Sequence, residues 1–161
     1  MKILIAVDGS PGSMAALQSV TQRPWPPLSV FRILTSVEEK SDSTELSGHG
    51  HEEAEHITAR AADLLQKSAL RVETVIRYGG PGSTIVEEAE EWDADWIVVG
   101  ANDESSTLKK WLLGSVVQSV VKHAPCSVEV IRQKVRLQPL EDAQAQKDRS
   151  LSEGTPNLEF A

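Results

Sequence analysis

Apolar residues fall in short blocks separated by amphipathic stretches. Ile3-Leu4-Ile5-Ala6-Val7 is an unbroken apolar run ending in Asp8-Gly9-Ser10, the pattern of a strand buried on both faces and then a sharp turn. Ser10 followed by Pro11 predicts a helix capped by Ser10 with Pro11 as its first residue. Met14, Leu17 and Val20 or Thr21 recur at helical spacing until Pro24, Pro26 and Pro27 stop the helix. Residues 28–37, LSVFRILTSV, read as a second strand, and the polar stretch 38–50 reads as a flexible loop because it lacks apolar periodicity. From His51 to Ser68, the residues Ala54, Ile57, Ala61, Leu64 and Leu65 form one stripe among charged positions, which predicts a helix covering one face of a sheet.

The alternation continues. Residues 71–77 give a third strand, Gly79-Gly80-Pro81-Gly82 a turn, and Ser83 the cap of a helix with Ile85, Ala89 and Trp92 on one face. Glu87, Glu88, Glu90, Glu91 and Asp93 are expected on the solvent side of that helix, with no chemistry assigned to them. Residues 96–100 are a fourth strand. Ser115 begins a helix carrying Val116, Val117, Val120 and Val121, and residues 126–132 form a last strand. Strands alternating with helices predict an α/β fold, an open, doubly wound five-stranded parallel sheet with helices on both faces and strand order 3-2-1-4-5. The domain is expected to span 1–133. Residues 134–161 read as a flexible tail, since Glu141, Asp142, Asp148, Glu153 and Glu159 outnumber Lys147 and Arg149 there. A short helix over 139–147 would be marginal on its own.

Composition narrows the function classes. A chain of 161 residues with 40% apolar content is enough for one packed core. Sixteen basic against twenty-four acidic side chains give a net charge of −8, which repels nucleic-acid backbones and anionic membrane surfaces. The apolar run after Met1-Lys2 is too short for a signal-peptide core or a membrane span, so a cytoplasmic protein is expected. Cys126 is the one cysteine and reads as a small, buried, unreactive side chain.

In an open α/β sheet, ligands bind beyond the carboxyl ends of the strands, where strand order reverses. That places Asp8, Val37 and Gly100 at the candidate site. The loop from Gly100 to Ser115 leads into a helix whose free first-turn N–H groups, near Gly114, Ser115 and Val116, offer an anion site. AVDGSPGSMAAL at 6–17, EEAEEWDADWIVVG at 87–100, LKKWLLGSV at 108–116 and KHAPCSVEVIR at 122–132 together resemble the universal stress proteins, over roughly residues 2–133. The resemblance implies a stress-response protein that binds ATP, with Mg²⁺, or another adenine nucleotide as a sensor or switch. Carried over position by position, the binding residues would be Ala6, Asp8, Val37, Val99, Gly100, Gly114, Ser115, Val116 and Val117. It also implies a homodimer through the last strand, 127–132, with Val128 and Val130 lining the contact, a role an unpaired edge strand suits.

One departure opens a second reading. Asp103 stands where the family pattern has its second glycine, and the interval to Gly114 is one residue longer than the pattern. A carboxylate about 6 Å from one phosphate charge costs on the order of 3 kcal/mol at an effective dielectric near 20. That is roughly a hundredfold in affinity. Lys109, Lys110, or a divalent cation held by Asp103 or Glu104 would offset it. The alternative is therefore the same fold without nucleotide, acting as a dimeric interaction module for protein partners still unknown. An enzyme is the third reading. No nucleophile–base set is assembled, so slow ATP hydrolysis or autophosphorylation at Ser115 is the most it allows. His49, His51 and His56 lack the spacing that stacks ligands on one helix face and read as solvated. The glycine-rich run 79–84 lacks the lysine of a phosphate loop. Trp111 reads as core or interface rather than a stacking platform.

Overall fold

A computed structural model describes residues 1–38, 46–68, 70–101 and 114–132. Asp103, Glu104, Lys109, Lys110, Trp111, the His49 side chain and the tail from 133 onward lie outside the described residues. The elements are β1 (Lys2–Ala6), α1 (Pro11–Thr21), β2 (Val30–Val37), α2 (Leu46–Lys67), β3 (Arg71–Tyr78), α3 (Pro81–Glu91), β4 (Trp96–Ala101), α4 (Ser115–His123) and β5 (Ser127–Arg132). All pairings are parallel, and the strand order is β3-β2-β1-β4-β5, as the sequence predicts.

The period-two geometry of strands splits the apolar runs between two layers. On the α1 and α2 side, Ile3, Ile5, Val7, Phe31, Ile33 and Val98 pack with Leu17, Val20, Ala61 and Leu65. On the other side, Leu4, Leu34, Ile97 and Val99 pack with Ile85, Ala89, Val117 and Val120 of α3 and α4. Continuous hydrophobic strands are therefore needed, because β1 and β4 are covered on both faces. Trp25 closes the lower end of the first layer, edge-on to Phe31 at 5.2 Å and to Trp96 at 6.1 Å.

Several boundaries differ from the sequence reading. Residues 46–50, expected in a loop, open α2. Ser83 is inside α3 rather than its cap: Gly80 is the N-cap, and the Ser83 hydroxyl donates to the Gly80 carbonyl at 2.9 Å. Pro81 sets the helix start one turn early because its fixed φ suits the first helical position. At the other end of α3, Asp93 adopts φ 56°. Its N–H donates to Glu90 O at 3.1 Å, and that of Ala94 donates to Ala89 O at 2.9 Å, closing the helix with the hydrogen-bond pair of a Schellman motif.

The main correction concerns Glu88. Expected on the solvent side, it is 1% exposed. Its carboxylate accepts from Arg32 Nη1 and from Arg77 Nε, each at 2.7 Å. Arg32 also donates to Glu73 and Arg77 to Glu91, at 2.6 and 2.7 Å. The Arg32 guanidinium lies 4.3 Å from the Trp92 ring centre. An arginine in the middle of β2 forces this arrangement, since its charge, pointing under α3, requires a buried anionic partner. Helical periodicity alone could not show it, because the partner comes from another element.

The Glu88→Ala variant leaves Arg32 and Arg77 each with one carboxylate but uncovers a buried, half-paired charge cluster. It is expected to lose about 3 kcal/mol of stability in urea denaturation. A loss within 0.5 kcal/mol would contradict the role given to this network.

Candidate functional site

β1 lies between β2 and β4, with Ile5 in register with both Ile33 and Val98. The chain leaves β1 toward β2 by way of α1, and it leaves β4 toward β5 by way of α4, on the opposite face. Strand order reverses between β1 and β4, so a crevice opens beyond their carboxyl ends.

The first wall is the turn after β1. Gly9 takes φ +76°, where a side chain would be strained, and a Cβ there would stand 3.1 Å from Ile57 Cδ1 of α2. This turn lets Asp8 Oδ1 accept from Ser10 N at 3.0 Å, while Ser10 Oγ accepts from Ser13 N and caps α1. The Asp8 N–H points to Ser13 Oγ at 3.4 Å. Desolvation pushes the Asp8 carboxyl up, but hydrogen bonds from Ser10 and Ser13 outweigh it and hold it below its ordinary 3.8. Asp8 therefore presents a fixed, ionised carboxylate at the mouth of the crevice.

Gly100 forms the second wall. A Cβ on it would fall 2.1 Å from the carbonyl carbon and oxygen of Gly12. The glycine brings β4 into backbone contact with the first turn of α1, and so carries the Asp8–Ser13 turn to the end of β4. The third wall is the first turn of α4. Gly114 is its N-cap with φ −56° and, as a glycine, supplies no side-chain cap, so the leading N–H groups of the helix need acceptors from elsewhere. Among the described residues, no atom lies within 4 Å of where a Gly114 Cβ would stand. Neither a positive φ nor packing among the described residues requires glycine there.

The structure joins most of the expected residues. Ala6, Val99, Val116 and Val117 share the α3/α4-side cluster, and Asp8 and Gly100 meet through Gly12 and Ser13. Val99 and Val117 are 3% and 4% exposed, so their side chains belong to the core. Val37 stands apart, on the far rim beside Tyr78, where its carbonyl accepts from Gly79 N at 2.9 Å. A Cβ on Gly50 of α2 would lie 3.4 Å from Val37 Cγ1. Sequence reasoning assigned no site role to Gly12, Ser13, Gly50 or Ile57. For Gly12 the available signal was a glycine inside a segment read as helix, where it costs about 0.5–1 kcal/mol.

The remaining candidates lie outside the crevice. His51 lies on α2, its Nδ1 2.8 Å from Tyr78 Oη and its ring stacked on that tyrosine. His56 is exposed. Burial, and then the charge of Asp95, push the half-buried Cys126 thiol up and keep it protonated. Val128 and Val130 pack against the α3/α4-side cluster and Ile131 against the other. β5 thus contributes side chains to both layers, and among the described residues it pairs with β4 alone. Among the described residues, no helix is long and apolar enough to cross a membrane.

Because the folded pKa of Asp8 is depressed, the stability its carboxylate contributes is complete above the unfolded value near 3.8 and fades as pH falls through the lower folded value. A carbon-detected NMR titration is expected to give an Asp8 midpoint below 3.8 in the wild type. In Ser13→Ala, which removes one hydroxyl beside Asp8, the midpoint is expected to move upward.

Comparison with known proteins agrees with this geometry. The chain matches the universal stress protein family over residues 1–132. A putative universal stress protein of Staphylococcus aureus is 33% identical over 141 residues, covering 81% of this chain and 82% of that one. The solved structure of hypothetical protein MJ0577 superposes with a TM-score of 0.74 at 28% identity, over 83% of this chain and 96% of the other. A universal stress protein solved in complex with cAMP superposes with a TM-score of 0.65 at 25% identity, over 82% and 96% of the two chains. The extent of the family match and the identity to the staphylococcal protein establish that the chain belongs to the universal stress protein family.

Proposed function

We propose that this protein is a homodimeric stress-response protein that binds an adenine nucleotide, ATP with Mg²⁺, in the crevice between β1 and β4 and acts as a sensor. The observation that carries the reading is Gly114. A glycine with ordinary φ at the start of α4, with no atom of the described residues within 4 Å of where its Cβ would stand, suits a position where a ligand's phosphate approaches the backbone. Ser115, exposed at the start of α4, adds a hydroxyl donor. Asp8, fixed as an acceptor by its turn, suits the hydroxyls of a ribose. The relative solved with cAMP supports adenine as the base.

Chemically, the crevice binds and orients. Backbone N–H groups of Ser115, Val116 and Val117 take phosphate oxygens, and Asp8 takes the sugar. Mg²⁺ would neutralise phosphate charge, which matters for a chain of net charge −8. Such an arrangement holds a nucleotide without an activated nucleophile, in keeping with a switch rather than a fast enzyme.

Titration calorimetry with Mg²⁺–ATP is expected to show saturable binding to the wild type. Gly114→Ala is expected to weaken it about tenfold or more by obstructing a charge-assisted contact, while the melting temperature changes by no more than about 4 °C. The absence of binding by both ATP and cAMP would overturn the reading. Asp103, which supplies an acid where the family pattern has glycine, favours the second reading, an interaction module without nucleotide. Binding restored in Asp103→Gly alone would establish that alternative.

The dimer reading rests on β5, which ends the described sheet beside β4 and pairs with no second strand among the described residues. Light scattering is expected to give twice the 17.5 kDa chain mass. A monomeric mass would reject this assembly.

A further inference from the structure

We infer that Gly82 of α3 and Ser119 of α4 form a positioning contact that sets the height of the first turn of α4, and through it the alignment of the N–H groups assigned above to phosphate. The inference rests on the nucleotide reading for its functional consequence, but its structural content can be tested without nucleotide. A Cβ added to Gly82 would stand 2.9 Å from both Cβ and Oγ of Ser119, and 3.9 Å from the Cα of Val116. Real Cβ atoms do not sit that close, so something must shift. Ser119 Cβ is attached directly to the backbone of α4 and cannot swing aside as the end of a long side chain would.

Gly82, in the first turn of α3, has no positive φ, so no left-handed backbone requires a glycine there. Close approach to α4 does explain it. α3 is the fixed member of the pair. The Gly80 carbonyl accepts from Ser83 Oγ, Thr84 Oγ1 and Thr84 N at 2.9, 2.8 and 3.0 Å. Farther along, Glu88 ties α3 to β2 and β3 through Arg32 and Arg77. α4 is a nine-residue helix held mainly by Val117 and Val120. An added methyl group on Gly82 therefore moves α4. Ser119 lies about one turn from the leading N–H groups, so a displacement at the contact reaches them nearly undiminished. Hydrogen bonds weaken steeply once donors move by a few tenths of an ångström or tilt.

The test uses the full chain in three forms: wild type, Gly82→Ala, and the swap Gly82→Ala with Ser119→Gly, which returns the space to the other helix. Calorimetry with Mg²⁺–ATP is expected to show about a tenfold loss for Gly82→Ala and recovery to within about threefold for the swap. Amide chemical shifts of Ser115, Val116 and Val117 without nucleotide are expected to move in Gly82→Ala and return in the swap. A purely structural contact would lower the melting temperature with affinity and first-turn shifts unchanged, and that result overturns the inference. If the wild type binds no nucleotide, the function proposed above fails by itself. The amide shifts then decide the positioning role alone: unmoved shifts reject it, and shifts that move and return sustain it.

Discussion

The backbone contact between Gly12 and Gly100 is the constraint on which the rest of the molecule turns. A side chain at Gly100 would overlap the Gly12 carbonyl, so α1 can lie across β4 only because its first turn and the end of that strand carry no side chains where they meet. Seating α1 there determines where the Asp8 turn points, how Trp25 closes the lower end of the first layer, and where the crevice opens. It also lets one helix rest on strands on both sides of the topological switch.

A second close approach performs the same service on the opposite face, where Gly82 lets α3 meet α4. α3 is suited to be the reference because its buried carboxylate is held by two arginines from the sheet. Such a cluster gives no guarantee of added stability, since desolvating charges is costly. What it supplies is direction. A hydrocarbon stripe can slide along a sheet, whereas a carboxylate between two guanidinium groups has one good position. The two helix N-termini at the crevice, those of α1 and α4, are thus positioned by glycine contacts, with the ionic cluster behind α3 as the anchor.

The division between side chain and backbone explains the character of the site. Val99 and Val117 give their side chains to the core, and Gly100 and Gly114 have none. What the crevice offers a ligand is mostly main-chain N–H groups, one fixed carboxylate and a hydroxyl. Main-chain donors at a helix start favour anions without the desolvation cost of a buried cation, so the net acidity of the chain is compatible with the phosphate site proposed above.

The sequence by itself determined the alternation of strands and helices and the two-sided core, because buried strands must be continuously apolar and amphipathic helices must show their stripe. It also singled out Asp8 and the Gly114-Ser115 pair as candidate binding positions. It misplaced Glu88 on the solvent side, began α2 late and put the cap of α3 at Ser83. It gave no sign that Gly100 meets Gly12 or that Gly82 meets Ser119. Periodicity reports which face of an element is apolar, a property of neighbours along one chain segment. Contacts between glycines, and charges buried against arginines on other elements, depend on the distance between segments far apart in sequence, and only the packed tertiary structure fixes that distance.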